Sequence, residues 1–138
     1  MLSETDAERV VAAARSAAAQ ISVAANIAVL DDAGWLKAFF RMDGAFLGSI
    51  DIALGKAKAS ALFGMNSEDL YEFAKPEGTS FGLENTNGGL VVFAGGRPLR
   101  DAAGNTIGSV GISGGAVHQD ALIAEAAAAV LDDTSTTA

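Results

Sequence analysis

The chain has 138 residues, half of them hydrophobic but only 7% aromatic, with a formal net charge of −8 and no cysteine. That length fits one domain, residues 1–138, with a sizeable core, and the acidic balance without any basic run argues against nucleic acid or an anionic membrane surface as partner. Missing thiols exclude disulfides, zinc–thiolate sites, iron–sulfur clusters and cysteine nucleophiles, while the lack of a signal-like start or of an apolar run near ~18 residues makes the sequence read as soluble and cytoplasmic.

The first helix is expected from a capping box of Thr5 and Glu8, with Val10, Ala14, Ala17 and Ile21 on one face. Asn26 to Asp31 reads as a buried strand, Asp32-Ala33-Gly34 as a hairpin turn and Trp35 to Met42 as the returning strand, broken by Asp43-Gly44. From Leu47 to Phe63 the pattern is helical, with Ile50, Leu54, Ala57, Ala61 and Leu62 as its stripe. Asn66 caps a short following helix that runs to Phe73. Residues 74–88, with Pro76, Gly78, Gly82 and Gly88, form a loop long enough to be functional.

Leu90 to Ala94 is predicted to be a buried strand that continues through Arg97–Arg100 past a Gly-Gly kink. Ala103-Gly104-Asn105 then turns into a strand over Thr106–Ile112, and a final helix spans Val117 to Leu131, leaving residues 132–138 as a frayed tail. The order α-β-β-α-α-β-β-α defines an α+β fold with a mainly antiparallel sheet and packed helices.

Seven glycines lie between Gly95 and Gly115. Glycine at such density is costly in strands, so the backbone there must approach something closely: a strand, a subunit or a ligand. The Gly114-Gly115 turn opens onto the last helix, where N–H groups and the dipole suit an anion. Gly108, Gly111 and Gly114 meet neither the Rossmann nor the Walker spacing, which sets a nucleotide site aside.

Three groups of residues could carry chemistry. His118, the only histidine, sits in the first turn of the last helix as a candidate heme or metal ligand or acid/base group, against the plainer reading of an exposed surface residue. Arg41 and Lys56 could grip a carboxylate or heme propionate with Asp43 orienting Arg41, or form a turn contact beside a solvated lysine. In the 76–84 loop, Phe81 could wall a pocket and Glu84 act as a base, or Phe81 could simply anchor a surface loop. Met42, Met65 and Tyr71 read as core rather than as iron ligands.

Several segments together resemble the GlcG/HbpS family, which includes the C-terminal domain of PduO-type proteins. They are Val29-Leu30-Asp31-Asp32-Ala33-Gly34, Arg41-Met42-Asp43-Gly44-Ala45, Ala53-Leu54-Gly55-Lys56-Ala57, Gly95-Gly96-Arg97-Pro98-Leu99, and Ile107 to Gly115 followed by Asp120. The resemblance implies an α+β domain assembling into homo-oligomers, from dimers to octamers, and heme binding as in characterised relatives. Many relatives sit beside catabolic genes. Where the family often has Lys-Ala-x-Thr-Ala, this chain has Lys56-Ala57-Lys58-Ala59-Ser60.

Three readings follow. The first is an oligomeric module for a small, anionic ligand or heme, contacted by Arg41, Lys56, Phe81, Gly114 and Gly115, with His118 as axial ligand. The second is a cofactor-independent isomerase, tautomerase or lyase on a small carboxylate, with Asp43, Glu84 or His118 as the base and the Gly114-Gly115 N–H groups holding the enolate. The third is an accessory structural subunit.

Overall fold

The computed structural model describes residues 1–132. It contains α1 (Glu4–Gln20), β1 (Asn26–Asp31), β2 (Leu36–Arg41), α2 (Gly48–Phe63), a 3₁₀ turn (Ser67–Leu70) running into α3 (Tyr71–Ala74), β3 (Gly96–Arg100), β4 (Thr106–Ser113) and α4 (Val117–Ala129). The expected element order holds in a single α+β domain. Its four strands make one antiparallel sheet, β2-β1-β4-β3. The tail expected from residue 133 onward lies outside the described residues.

Side-chain alternation divides the sheet between two helical layers. Ile27 and Val29 of β1, with Val110 and Ile112 of β4, join Val10 and Ala14 of α1 and Ile123 and Ala127 of α4 in the main core. Ala28 and Leu30 point the other way and pack on Ala53 and Ala57 of α2. β1 is therefore covered on both faces, which explains its uninterrupted apolar character. β3 is an edge strand and carries Pro98, a position an edge tolerates because one ladder donor is dispensable there.

Three expectations about the helices change. Ser3, not Thr5, caps α1: its Oγ accepts the Asp6 N–H at 3.0 Å, and the helix starts before the expected box. The buried face of α1 is Ala7, Val10, Ala14 and Ala18, with Ile21 left outside. In α2 the buried face is Ser49, Ala53, Lys56, Ala57, Ala59 and Ser60. Of the expected stripe, Ala57 is buried, Leu54 and Ala61 pack half-buried against the Ala28–Leu30 cluster, and Ile50 and Leu62 stay half-buried or exposed, because Gly111 of β4 draws the small-residue face of the helix onto the sheet. A Cβ at Gly111 would fall on the Ala53 carbonyl and the Ala57 nitrogen, and the Ser109 hydroxyl donates to the Ala57 carbonyl at 2.6 Å.

Leu90–Ala94 does not join the sheet. The Val91 N–H donates to Gly55 O at 3.3 Å, and pairing with β4 begins only where the Ile112 N–H meets Gly95 O at 2.8 Å. Leu90 and Val92 pack into a small separate core with Ala59, Leu70 and Ala74. The segment is buried and apolar like a strand but has no ladder.

Gly111→Ala is expected to cost about 1–3 kcal/mol, the usual penalty for overpacking against rigid backbone. Gly48→Ala, in the first turn of α2 with open space around it, should be neutral or slightly stabilising. Urea unfolding of the two variants checks the contrast.

Candidate functional site

Lys56 lies on the sheet-facing side of α2 and is 0% exposed. Its side chain passes the end of the sheet, and Nζ donates to Ile112 O at 2.7 Å and to Asp120 Oδ2, in the first turn of α4, at 3.1 Å. Nζ also lies 5.1 Å from the centroid of the Phe93 ring, within cation–π range. Gly95 leaves room for this route. A Cβ there would stand 2.7 Å from Nζ, and its φ of +128° is one that side chains rarely adopt. By taking Ile112 O, the ammonium occupies the acceptor that the Gly95 N–H would use if β3 were one residue longer, and β4 ends at Ser113, so Leu90–Phe93 have no strand opposite them.

Burial pulls the Lys56 ammonium below the ordinary 10.5, against the raising effects of the Asp120 charge and hydrogen bond and, more weakly, of the Glu68 charge. Asp120 also accepts the Gly115 N–H on Oδ1 at 2.9 Å, and Gln119 Oε1 accepts the Ala116 N–H at 2.9 Å. Two donors at the start of α4 are thus consumed inside the fold. The Gly115 N–H, expected to hold a ligand carboxylate or enolate, is committed to Asp120.

In front of this pair lies a cavity of about 500 Å³. Leu90, Val91, Val92, Phe93 and Ala94 form one wall, Tyr71 and Val117 others, and Glu68 and Glu84 also contribute. Ser67 stiffens the wall: its hydroxyl donates to Phe93 O at 2.7 Å and accepts the Gly96 N–H at 2.9 Å. Glu84 Oε1 is buried with no hydrogen-bond partner, while the Glu84 carbonyl accepts the Leu90 N–H at 2.8 Å.

The structure distributes the sequence-predicted residues over several places. Glu84 lines the cavity, and His118 is exposed one residue beyond the lining Val117. Asp43 borders a different cleft with Arg15, Phe40 and Met42. Arg41 is exposed at the end of β2, and among the described residues no ion pair joins it to Asp43. Lys56 is neither solvated nor open to a ligand, because burial and Asp120 hold it. Phe81 is 72% exposed and outside the cavity; Phe93 and Tyr71 supply the aromatic walls instead. Tyr71, assigned to the core from sequence, is half exposed at the cavity. Among the described residues no cluster of three or more His, Asp or Glu could hold a metal ion, and no helix is long and apolar enough to cross a membrane.

Comparison with known proteins places this architecture in a family. The family described as haem degrading protein HbpS-like matches residues 2–129, and the chain belongs to it. It is 36% identical over 122 residues to an uncharacterised 15.0 kDa protein of the dhaT-dhaS intergenic region of Citrobacter freundii, covering 88% of this chain and 85% of that one. It is 35% identical over 133 residues to the corrinoid adenosyltransferase PduO of Salmonella typhimurium; the match takes in 95% of this chain but spans only 39% of PduO. Among solved structures, the PduOC:heme complex superimposes with a TM-score of 0.89 at 33% identity, covering 95% of each chain.

Lys56→Met leaves the Asp120 carboxylate buried without its cation and should cost about 3–5 kcal/mol. Lys56→Met/Asp120→Asn should recover part of that loss in the same urea titrations. The folded chain holds the Lys56 proton less tightly than the unfolded chain, so this group's contribution to stability rises as pH climbs toward 10.5. Comparison at pH 8 and pH 10 should show a rise in the wild type that Lys56→Met lacks.

Proposed function

We propose that the chain is a heme-binding module that holds the macrocycle in the cavity between Leu90–Ala94, Tyr71 and Val117. The observation that carries the reading is the cavity itself: about 500 Å³, within the ~300–1,000 Å³ usual for small-molecule and cofactor sites, and lined mainly by apolar and aromatic side chains. The PduOC:heme relative adds support from outside the chain.

The lining suits the group in chemistry as well as size. When bound, heme supplies a redox-active iron, which proteins without a cysteine ligand hold through histidine, methionine or tyrosine. Tyr71 stands on the wall and the exposed His118 follows the lining Val117 in sequence, so these two are the candidate iron ligands. The lining contains Glu68 and Glu84 and no lysine or arginine. Propionates would find no cationic partner in this lining, and Phe93, Leu90 and Val92 would supply the apolar contact for a macrocycle. Lys56 contributes by fixing Phe93 and the end of β3.

Assembly into homo-oligomers belongs to the same proposal. Its support is an outward apolar surface on the hairpin and α2: Trp35 is 74% exposed, Leu36 55%, Leu62 42% and Phe63 38%, around a depression of about 370 Å³. Exposed apolar area of this kind marks an interaction site.

A hemin titration should give a saturable, stoichiometric Soret shift. Ala94→Trp, which fills the cavity, should abolish it, and Tyr71→Phe or His118→Ala should change the band position according to which residue ligates. A linear, unsaturated rise would overturn the reading. For assembly, Leu62→Asp should reduce the mass measured by light scattering; a wild-type protein that is already monomeric would remove the oligomer.

A further inference from the structure

We infer that the Leu90–Ala94 cavity also takes small apolar amines, binding the ammonium at Glu68 and Glu84 and the apolar body against Tyr71, Leu90 and Val92. This rests on the same cavity as the heme reading but not on heme.

The charges around the cavity are one-sided. Its ionisable lining consists of Glu68, Glu84 and the Tyr71 phenol, with no lysine, arginine or histidine. The nearest cation, Lys56, offers the opening no free donor, although its charge reaches Glu68. Lys56 is 0% exposed and its ammonium is spent on Ile112 O, Asp120 Oδ2 and the Phe93 ring. An incoming carboxylate would lose its hydration beside two like charges and gain no partner. An ammonium meets the opposite situation, because a charge-assisted hydrogen bond to a carboxylate is among the stronger polar contacts.

A second observation points the same way. Glu84 Oε1 is buried without any donor, although such an oxygen normally has one and is costly to leave unpaired. The Glu84 carboxylate, which lines the cavity, therefore gains by turning this oxygen toward an ammonium that enters there. Tyr71 adds an aromatic face of the kind that attracts ammonium groups; Phe93 already engages that of Lys56. The apolar remainder of the wall selects against hydrophilic polyamines, which would bury charge without gaining apolar contact. The fitting class is a single ammonium on a compact aryl or branched alkyl body.

The test is a matched pair of probes on the intact protein: 2-phenylethylammonium and its carboxylate counterpart 3-phenylpropanoate, followed by calorimetry and by the amide NMR shifts of residues 91–94. The amine should bind saturably and the carboxylate at least roughly tenfold more weakly, as loss of one charge-assisted contact implies. Glu68→Gln/Glu84→Gln should erase most of that preference, and Ala94→Trp should abolish amine binding. Equal or tighter binding of the carboxylate overturns the proposal. So does amine binding that survives Ala94→Trp, or no amine binding at all. A hemin titration on the same preparation separates the two readings. Amine binding without a saturable Soret shift removes heme alone, and a Soret shift without amine binding removes this proposal alone.

Discussion

One buried ion pair organises the molecule. α2 and α4 lie on opposite faces of the sheet, and an ammonium from one reaches a carboxylate at the start of the other only by rounding the sheet's end. That route requires a glycine at position 95, a short β3 and a β4 carbonyl released from the ladder. A buried pair of this sort contributes little net stability, since desolvation offsets much of the attraction. Its effect here is on register. The same Asp120 that neutralises Lys56 also accepts the Gly115 N–H, so the entry to α4 and the position of α2 are set by one carboxylate.

The cavity is a by-product of that arrangement. Lys56 takes the Ile112 acceptor opposite Gly95, and β4 ends one residue later at Ser113, so β3 has no partner on which to extend back through Leu90–Ala94. Leaving the sheet instead, the segment stands against α2 with Phe93 turned outward, and a volume opens between it, α3 and the start of α4. Packing elsewhere compensates by close approach. Alanine, serine and glycine let α2 lie against β4, so little bulk is needed there, and the larger side chains of α2 are left for the outside.

Much of this was legible in the residues. β1 was read with both its ends, because a turn sequence follows a run buried on both faces, and β4 was off by a single residue. The hairpin and all the long helices were also recovered. The buried face of α2 was misjudged, because periodicity gives weight to large apolar residues, whereas a glycine on the opposing strand favours small ones. Leu90–Ala94 has the composition of a strand, and no local signal says that the strand it would pair with ends at Ser113 or that a lysine 39 positions before Gly95 takes the Ile112 carbonyl. For the same reason the sequence offers Lys56 only as a ligand contact or a solvated lysine, and neither holds. The available clue is a complementary one: a lysine inside the alanine-rich α2, an aspartate at the start of the alanine-rich α4 and a double glycine between them. The cavity was not visible because it arises from an absent pairing, and Tyr71 and Phe93 join it only through that absence.

The two edges of the sheet are not equivalent. On β3, Pro98 removes a backbone donor, and the strand stops at Gly96 where the lysine has taken over its neighbour's carbonyl. An incoming chain finds an interrupted template there. β2 has six residues, no proline and an exposed apolar start. Edge-to-edge growth, whether in productive strand addition or in aggregation, is thus directional in this protein: it can proceed from β2 and is blocked at β3.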